Sequence, residues 1–343
     1  MPPTAVYSCE GPSRHHREKG CGHHPAVLGD LHDTSQKRET RNMTIDDDVR
    51  AVSSTGYERI SKSEREQFQE QGWLLIPNAL ESTMQKRLVR AVDKVYQEEA
   101  NAGGLRADKS LHLLGFFARD PMFAELLDYP STFRYVWSLL GWNIYSHHNH
   151  IDVNPPITEP VAPFWNWHQD GYRQNSDIDA AVRPMLSLKV CFVLSDLGKG
   201  SGATQIIPGS HLNNELAGRP AKPGDPVITP PGAVSIEAKA GDAFIFDRRL
   251  WHSRSVNVSS VTRKLVFVGY THRWIRPLDE ERYHPDPHWQ RILTPVQQQL
   301  LGNGPDHANF WGVRQDGWID NDIPLRAELR ARGLLDGSEP YLR

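Results

Sequence analysis

The chain changes texture at Asn143, and that change limits what it can fold into. Before it, apolar residues recur at helical spacing. SKSEREQFQEQG reads as a helix opened by a Ser cap at Ser61 and closed by Gly72. WLLIP is a short buried strand stopped by Pro77. ESTMQKRLVRAVDKVYQEEANAGG is a long amphipathic helix ended by glycines, and residues 121–141 suggest one or two more helices. After Asn143 the apolar residues fall into short strand-like runs: IYSHHNHIDVNPP, FWNWHQD, LSLKVCFVLSD, TQIIPGSH, VSIEAKAGDAFIFD and KLVFVGYTH. Turn signals such as PPGA and AGDA separate several of them. Helices first and strands after predict an α+β fold, with helices packed on an antiparallel barrel or sandwich. A short helix, PLRAELRARG, follows near the C-terminus, Pro324 to Gly333.

Length and composition narrow the function classes. The 343 residues are enough for a sizeable core in one large domain or two small ones. A net charge of -3 with no long basic stripe argues against nucleic acid as the main partner. No apolar run approaches the roughly 20 residues that span a bilayer, and the first thirty residues lack the apolar core of a secretory signal. Cys9, Cys21 and Cys191 make no disulfide framework, so a reduced, cytoplasmic compartment is expected. Residues 1–42 differ from the rest: rich in His, Arg, Gly, Pro and Ser, without periodicity. CEGPSRHHREKGCGHH within them has no standard zinc-knuckle spacing, so a disordered tail is expected, with 43–343 as one domain.

The chemistry concentrates around FWNWHQDGY, Phe164 to Tyr172. His168 and Asp170 stand two apart, so on a strand they share a face. Alone the pair reads more readily as a hydrogen-bonded turn. A two-His-one-carboxylate metal site needs a further His from elsewhere in the fold. His252 in GDAFIFDRRLWH is the candidate, placed after a strand and a short turn. Eleven residues on, Arg263 opens another strand, where its two-pronged guanidinium can clamp a carboxylate. Such a ligand set suits ferrous iron and leaves positions for a bidentate oxo-acid and for dioxygen.

These motifs have a family likeness. WHQD, SGATQIIPGSH, GDAFIFDRRLWH and HSRSVNVSSVTR, in that order, together with EQFQEQGWLLIPNAL, resemble the phytanoyl-CoA dioxygenase family of iron(II)/2-oxoglutarate oxygenases over about residues 60–275. The resemblance implies a double-stranded β-helix (jelly-roll, cupin-like) core over about 143–275. It implies that His168, Asp170 and His252 hold Fe(II) as the catalytic group. Arg263 then binds the distal carboxylate of 2-oxoglutarate, and Asn257 matches the usual Asn of the loop between. PGSH, Pro208 to His211, matches a turn read as structural. Two departures, Ser201-Gly202 before that strand and Arg254 two after the distal His, leave the triad untouched.

Other polar residues attach to the same reading. IYSHHNHID is similar to a strand of the ectoine hydroxylase branch, which makes His148 a co-substrate candidate. By alternation His150 and Asp152 share its face and become substrate-pocket candidates, with Tyr172 and Gln174. Lys189 shares an inward face with Ser187 and Cys191 and wants an anion there, against the bland reading that it snorkels to the rim. Arg106, Lys109 and His112 precede a segment that can cover the pocket, as can residues 284–318. Cys191 reads as inert core. The implied activity is hydroxylation, or a related oxidation, of an unactivated C–H in a small molecule, with succinate and carbon dioxide released. A secondary-metabolite intermediate is favoured over an acyl-CoA thioester because no basic loop awaits a coenzyme A phosphate tail. A non-catalytic jelly-roll binding protein and a zinc hydrolase are the other classes; the second has no use for Arg263. Halogenation needs Gly or Ala where Asp170 stands. A monomer or homodimer is expected.

Overall fold

A computed structural model describes residues 56–159, 165–216, 227–276, 291–302, 313–314, 317–318 and 323–335. The expected tail, Phe164 and most of 284–318 lie outside the described residues. The described residues belong to one compact unit, Arg50–Arg343.

The N-terminal elements follow local rules. Helix α1, Lys62–Gln71, opens on a capping box: Glu64 N donates to Ser61 Oγ at 3.2 Å and Ser61 N to Glu64 Oε2 at 2.7 Å. It ends on Gly72 at φ +77°. Strand β1, Trp73–Ile76, and helix α2, Ser82–Ala102, come next. Strand β2, Leu111–Leu114, is reached by a tight turn in which Lys109 N donates to Arg106 O at 2.9 Å. Helix α3 is Pro130–Leu140.

Strands β3 (Ile144–Ser146) and β4 (His150–Asn154) replace the single strand expected over IYSHHNHID. His148 between them sits at φ +59°, so alternation does not carry it onto the β4 face. FWNWHQD forms no strand among the described residues; His168 makes only an isolated bridge. After α4 (Tyr172–Asp177) come β5 (Ser187–Val193), β6 (Thr204–Ile206), β7 (Val234–Ser235), β8 (Ala243–Asp247), β9 (His252–Arg254) and β10 (Arg263–His272). Helix α5 (Pro295–Leu300), the pair β11 (Val313–Arg314) and β12 (Gly317–Trp318), and α6 (Pro324–Ala331) complete the described elements.

Apart from the β11–β12 pair, the described strands make two antiparallel sheets. The large one runs β1-β8-β5-β10-β4-β2, with β3 also paired to β10; the small one runs β7-β6-β9. The large sheet is buried on both faces, so its central strands lack the polar alternation of a half-exposed strand. One face (Val190, Phe192, Ile245, Val266, Val268) packs on α2 and α3 through Leu88, Val92, Val95, Phe133 and Val136. The other (Cys191, Val193, Phe244, Phe246, Leu265, Phe267) packs on Ile206, Ile236 and Leu250 of the small-sheet side. Helices backing one sheet of a two-sheet sandwich give the expected jelly-roll core. PGSH is structural: Trp251 N donates to Ser210 Oγ at 2.9 Å, and buried His211 meets Gln69 O at 3.0 Å. Among the described residues no helix is long and apolar enough to cross a membrane.

Candidate metal centre

The site starts with a backbone bridge. His168 N donates to His252 O at 3.0 Å, and His252 N to His168 O at 2.9 Å. This pairing brings residues distant in sequence to ring centroids 4.3 Å apart. Asp170 follows in a turn held by its neighbours: Asp170 N donates to Arg248 O at 2.8 Å, and Arg248 Nη1 donates to Asp170 O at 2.8 Å. Gly171, at φ +79°, leaves no room for a Cβ beside the Arg248 guanidinium. Gln169, between the two candidate ligands, points away and donates to Arg249 O at 2.5 Å.

Three ligand atoms converge. Asp170 Oδ1 lies 3.9 Å from His168 Nε2 and 3.8 Å from His252 Nε2. Both are too long for hydrogen bonds, as expected where an ion sits between the groups. The other imidazole nitrogens are anchored: His168 Nδ1 meets Asn166 O and His252 Nδ1 meets Leu250 O, each at 2.8 Å. A carbonyl on Nδ1 fixes that nitrogen as the donor and leaves Nε2 as a free base, the outer-shell arrangement of metal-binding histidines. Burial, then the neighbouring His168, pushes the His252 imidazole down to about 4, so it is neutral at pH 7. Burial alone would raise the Asp170 carboxyl; Lys189, His252 and His168 override it and hold it far below the usual carboxylate range. Two imidazole nitrogens and one ionised carboxylate fit a ferrous ion.

Arg263 lies on the inward face of β10 with Leu265 and Phe267, opposite Asn154 of β4. It is buried. Nη1 donates to Asn154 Oδ1 at 2.6 Å, Nη2 lies 3.4 Å from Thr204 Oγ1, and Nε has no partner. A guanidinium with a hydroxyl beside it has the donors to clamp a carboxylate. Asn257 ties its loop to β4: Nδ2 donates to Asn154 O at 2.8 Å and Val261 O at 2.9 Å, while Oδ1 accepts from Ser259 Oγ at 2.7 Å. It bonds the backbone of Asn154, whose side chain accepts from Arg263.

A second group of ligand-type side chains, His112, His150 and Asp152, occupies the edge between β2 and β4. His112 Nδ1 is 2.7 Å from Asp152 Oδ1, and Arg263 Nη1 is 3.6 Å from Asp152 Oδ2. His150 stacks on Phe267 at 4.4 Å, with His148 5.6 Å away. Burial drives the His150 imidazole well below its usual value, helped by Lys189 and His112. Gln174, on α4, lies against Gly171. Lys189, expected to face a co-substrate or substrate carboxylate, instead meets a carboxylate of the protein: its Nζ is 2.9 Å from Asp170 Oδ2.

Sequence reasoning missed Asn154 and Thr204. Asn154 was reachable, since it shares the His150–Asp152 alternation. Thr204 was not, because nothing local says that β6 faces Arg263.

A two-sheet jelly roll carrying two His and one carboxylate at its sheet bridge has the ligand set of a facial-triad metal site. The family model for phytanoyl-CoA dioxygenase (PhyH) matches residues 68–265, and the chain belongs to that family. It is similar to dioxygenase cdmA of Talaromyces verruculosus (26% identical over 49% of this chain and 50% of that protein). It is also similar to the iron/alpha-ketoglutarate-dependent dioxygenase ausO of Aspergillus calidoustus (23% over 51% and 60%). The chain thus spans 50% and 60% of these two relatives. The crystal structure of HygX from Streptomyces hygroscopicus, with nickel and 2-oxoglutarate bound, shares the fold: TM-score 0.51, 16% identity, 65% of this chain and 91% of that one.

Proposed function

We propose that this protein is an iron(II)- and 2-oxoglutarate-dependent dioxygenase that oxidises an unactivated C–H of a small molecule. The observation that carries the reading is the convergence of His168 Nε2, His252 Nε2 and Asp170 Oδ1, with both Nδ1 atoms tied to carbonyls. His168, Asp170 and His252 would hold the iron. Arg263, flanked by Thr204, would take the distal carboxylate of the co-substrate. When bound, the iron supplies the activation of dioxygen.

The chain's own residues prepare that reaction. The backbone bridge presets both imidazoles, which lowers the reorganisation needed on loading. Phe246, Phe267 and Leu265 exclude water from the wall between the sheets, where charges act more strongly. His168 is the exposed member of the triad, so substrate enters on its side. His150, Asp152 and Gln174 line the polar parts near the site, and a secondary-metabolite intermediate is the favoured substrate. The relatives named as dioxygenases support the reaction class, and the intact Asp170 argues against halogenation. An acyl-CoA substrate is the second reading within the family.

The test is succinate release. The iron-loaded protein, incubated aerobically with 2-oxoglutarate, should form succinate slowly without prime substrate. Asp170→Ala, with its fold checked by circular dichroism, should form none. Equal succinate from both proteins would refute the assignment.

A further inference from the structure

The two carboxylate oxygens of Asp170 face different partners. Oδ1 points to the imidazoles, at 3.9 and 3.8 Å, while Oδ2 meets Lys189 Nζ at 2.9 Å. The ion pair is enclosed, with the lysine side chain 8% and the aspartate 15% exposed. Lys189 is held from the middle of the sheet: its backbone pairs with Phe246 on one side and Gly269 on the other. A mobile surface lysine could leave Oδ2 at little cost; this one reaches it from the centre of a packed strand.

We propose that Lys189 is a positioning residue that keeps Asp170 a one-oxygen ligand. This rests on the metal-centre reading above. A carboxylate can bind a cation through one oxygen or through both. In a six-coordinate site, two imidazoles and one carboxylate oxygen leave three positions. A chelating 2-oxo-acid takes two of them and dioxygen needs the third. If Asp170 used both oxygens, the acid would fill what remained and dioxygen would be shut out. Holding Oδ2 on an ammonium reserves the third position. The arrangement has a cost that serves as its signature, since a cation bound to a metal ligand opposes the metal's own charge.

The probe is Co(II) alone, titrated into metal-free protein by calorimetry and visible absorption. Lys189→Met removes the charge and keeps the bulk. It should bind Co(II) roughly tenfold more tightly than wild type, with an altered ligand-field band as the second oxygen joins the ion. Lys189→Arg, which keeps the charge, should retain the wild-type band. Under nitrogen the Fe(II)-loaded Met variant should bind 2-oxoglutarate with unchanged affinity, then consume dioxygen more slowly than wild type. Unchanged or weaker Co(II) binding with an unchanged band would overturn the proposal. So would weakened 2-oxoglutarate binding with metal binding unaffected, which would make Lys189 a co-substrate ligand. Should the Met variant not fold, Lys189→Gln is read in the same way. Failure of wild type to take up Co(II) would instead remove the metal-centre reading itself.

Discussion

His168 and His252 are locked to each other through a reciprocal pair of backbone hydrogen bonds, 3.0 and 2.9 Å long. The two candidate ligands that are farthest apart in sequence are thereby fixed before any ion arrives. The carboxylate between them is held by a turn and a buried lysine. Preorganisation of this kind is expected where coordination geometry, more than affinity, determines the chemistry.

Neutralising Asp152 should tighten co-substrate binding. Its Oδ2 lies 3.6 Å from Arg263 Nη1, so an incoming carboxylate must share the guanidinium with a buried one. Asn154 still holds Nη1 in the variant, so the arginine stays placed. Asp152→Asn is expected to lower the Kd for 2-oxoglutarate by about two- to tenfold, from relief of like-charge repulsion. Arg263→Lys should do the opposite, raising the KM for 2-oxoglutarate by about tenfold or more, because an ammonium lacks the planar fork. Anaerobic calorimetry on the metal-loaded variants separates the two signs.

Gly269→Ala should be costly although its backbone is ordinary strand. Gly269 lies where the β3–β4 turn crosses β10, and a Cβ there would strike the His147 carbonyl oxygen. His147 N donates to Gly269 O at 2.6 Å and Gly269 N to Asn149 Oδ1 at 3.0 Å, so neither chain can back away without losing a bond. A loss of about 2–3 kcal/mol is expected, read as a lower denaturant midpoint with unchanged slope.

Asp128 gives stability a pH dependence away from the metal centre. Burial pushes its carboxyl up to about 6, against the pull of the Gln297 amide at 2.9 Å. In the unfolded chain the group titrates at about 3.9. Its contribution is therefore complete below about pH 4 and is lost as pH rises through about 6, where the folded chain must carry a buried charge. Asp128→Asn should match wild type near pH 4 and exceed it by about 2 kcal/mol at pH 8. Thermal or urea unfolding at the two pH values checks this.

The sequence made some of this legible and hid the rest for physical reasons. Helix α1 was readable because Ser61, Glu64 and Gly72 act within one or two turns of chain. Asp170 lies two residues from His168, and His252 stands at a strand end, so the triad could be assembled from local signals and a family likeness. The break at His147–Asn149 was not readable: a histidine at positive φ is held there by β10, and no residue type announced it. The sharing of Asp152 between His112 and Arg263 is a cross-strand relationship among β2, β4 and β10. Register of that kind depends on the assembled sheet, not on spacing along the chain.

The most direct measurement is an anaerobic titration of the metal-free protein with Fe(II) and 2-oxoglutarate, followed by visible absorption. A weak charge-transfer band that saturates at one Fe(II) per chain is expected. The band should be absent in His252→Ala and Asp170→Ala, and should need more 2-oxoglutarate in Arg263→Lys. A wild-type protein that gives no band, or a band that survives both ligand substitutions, would contradict it.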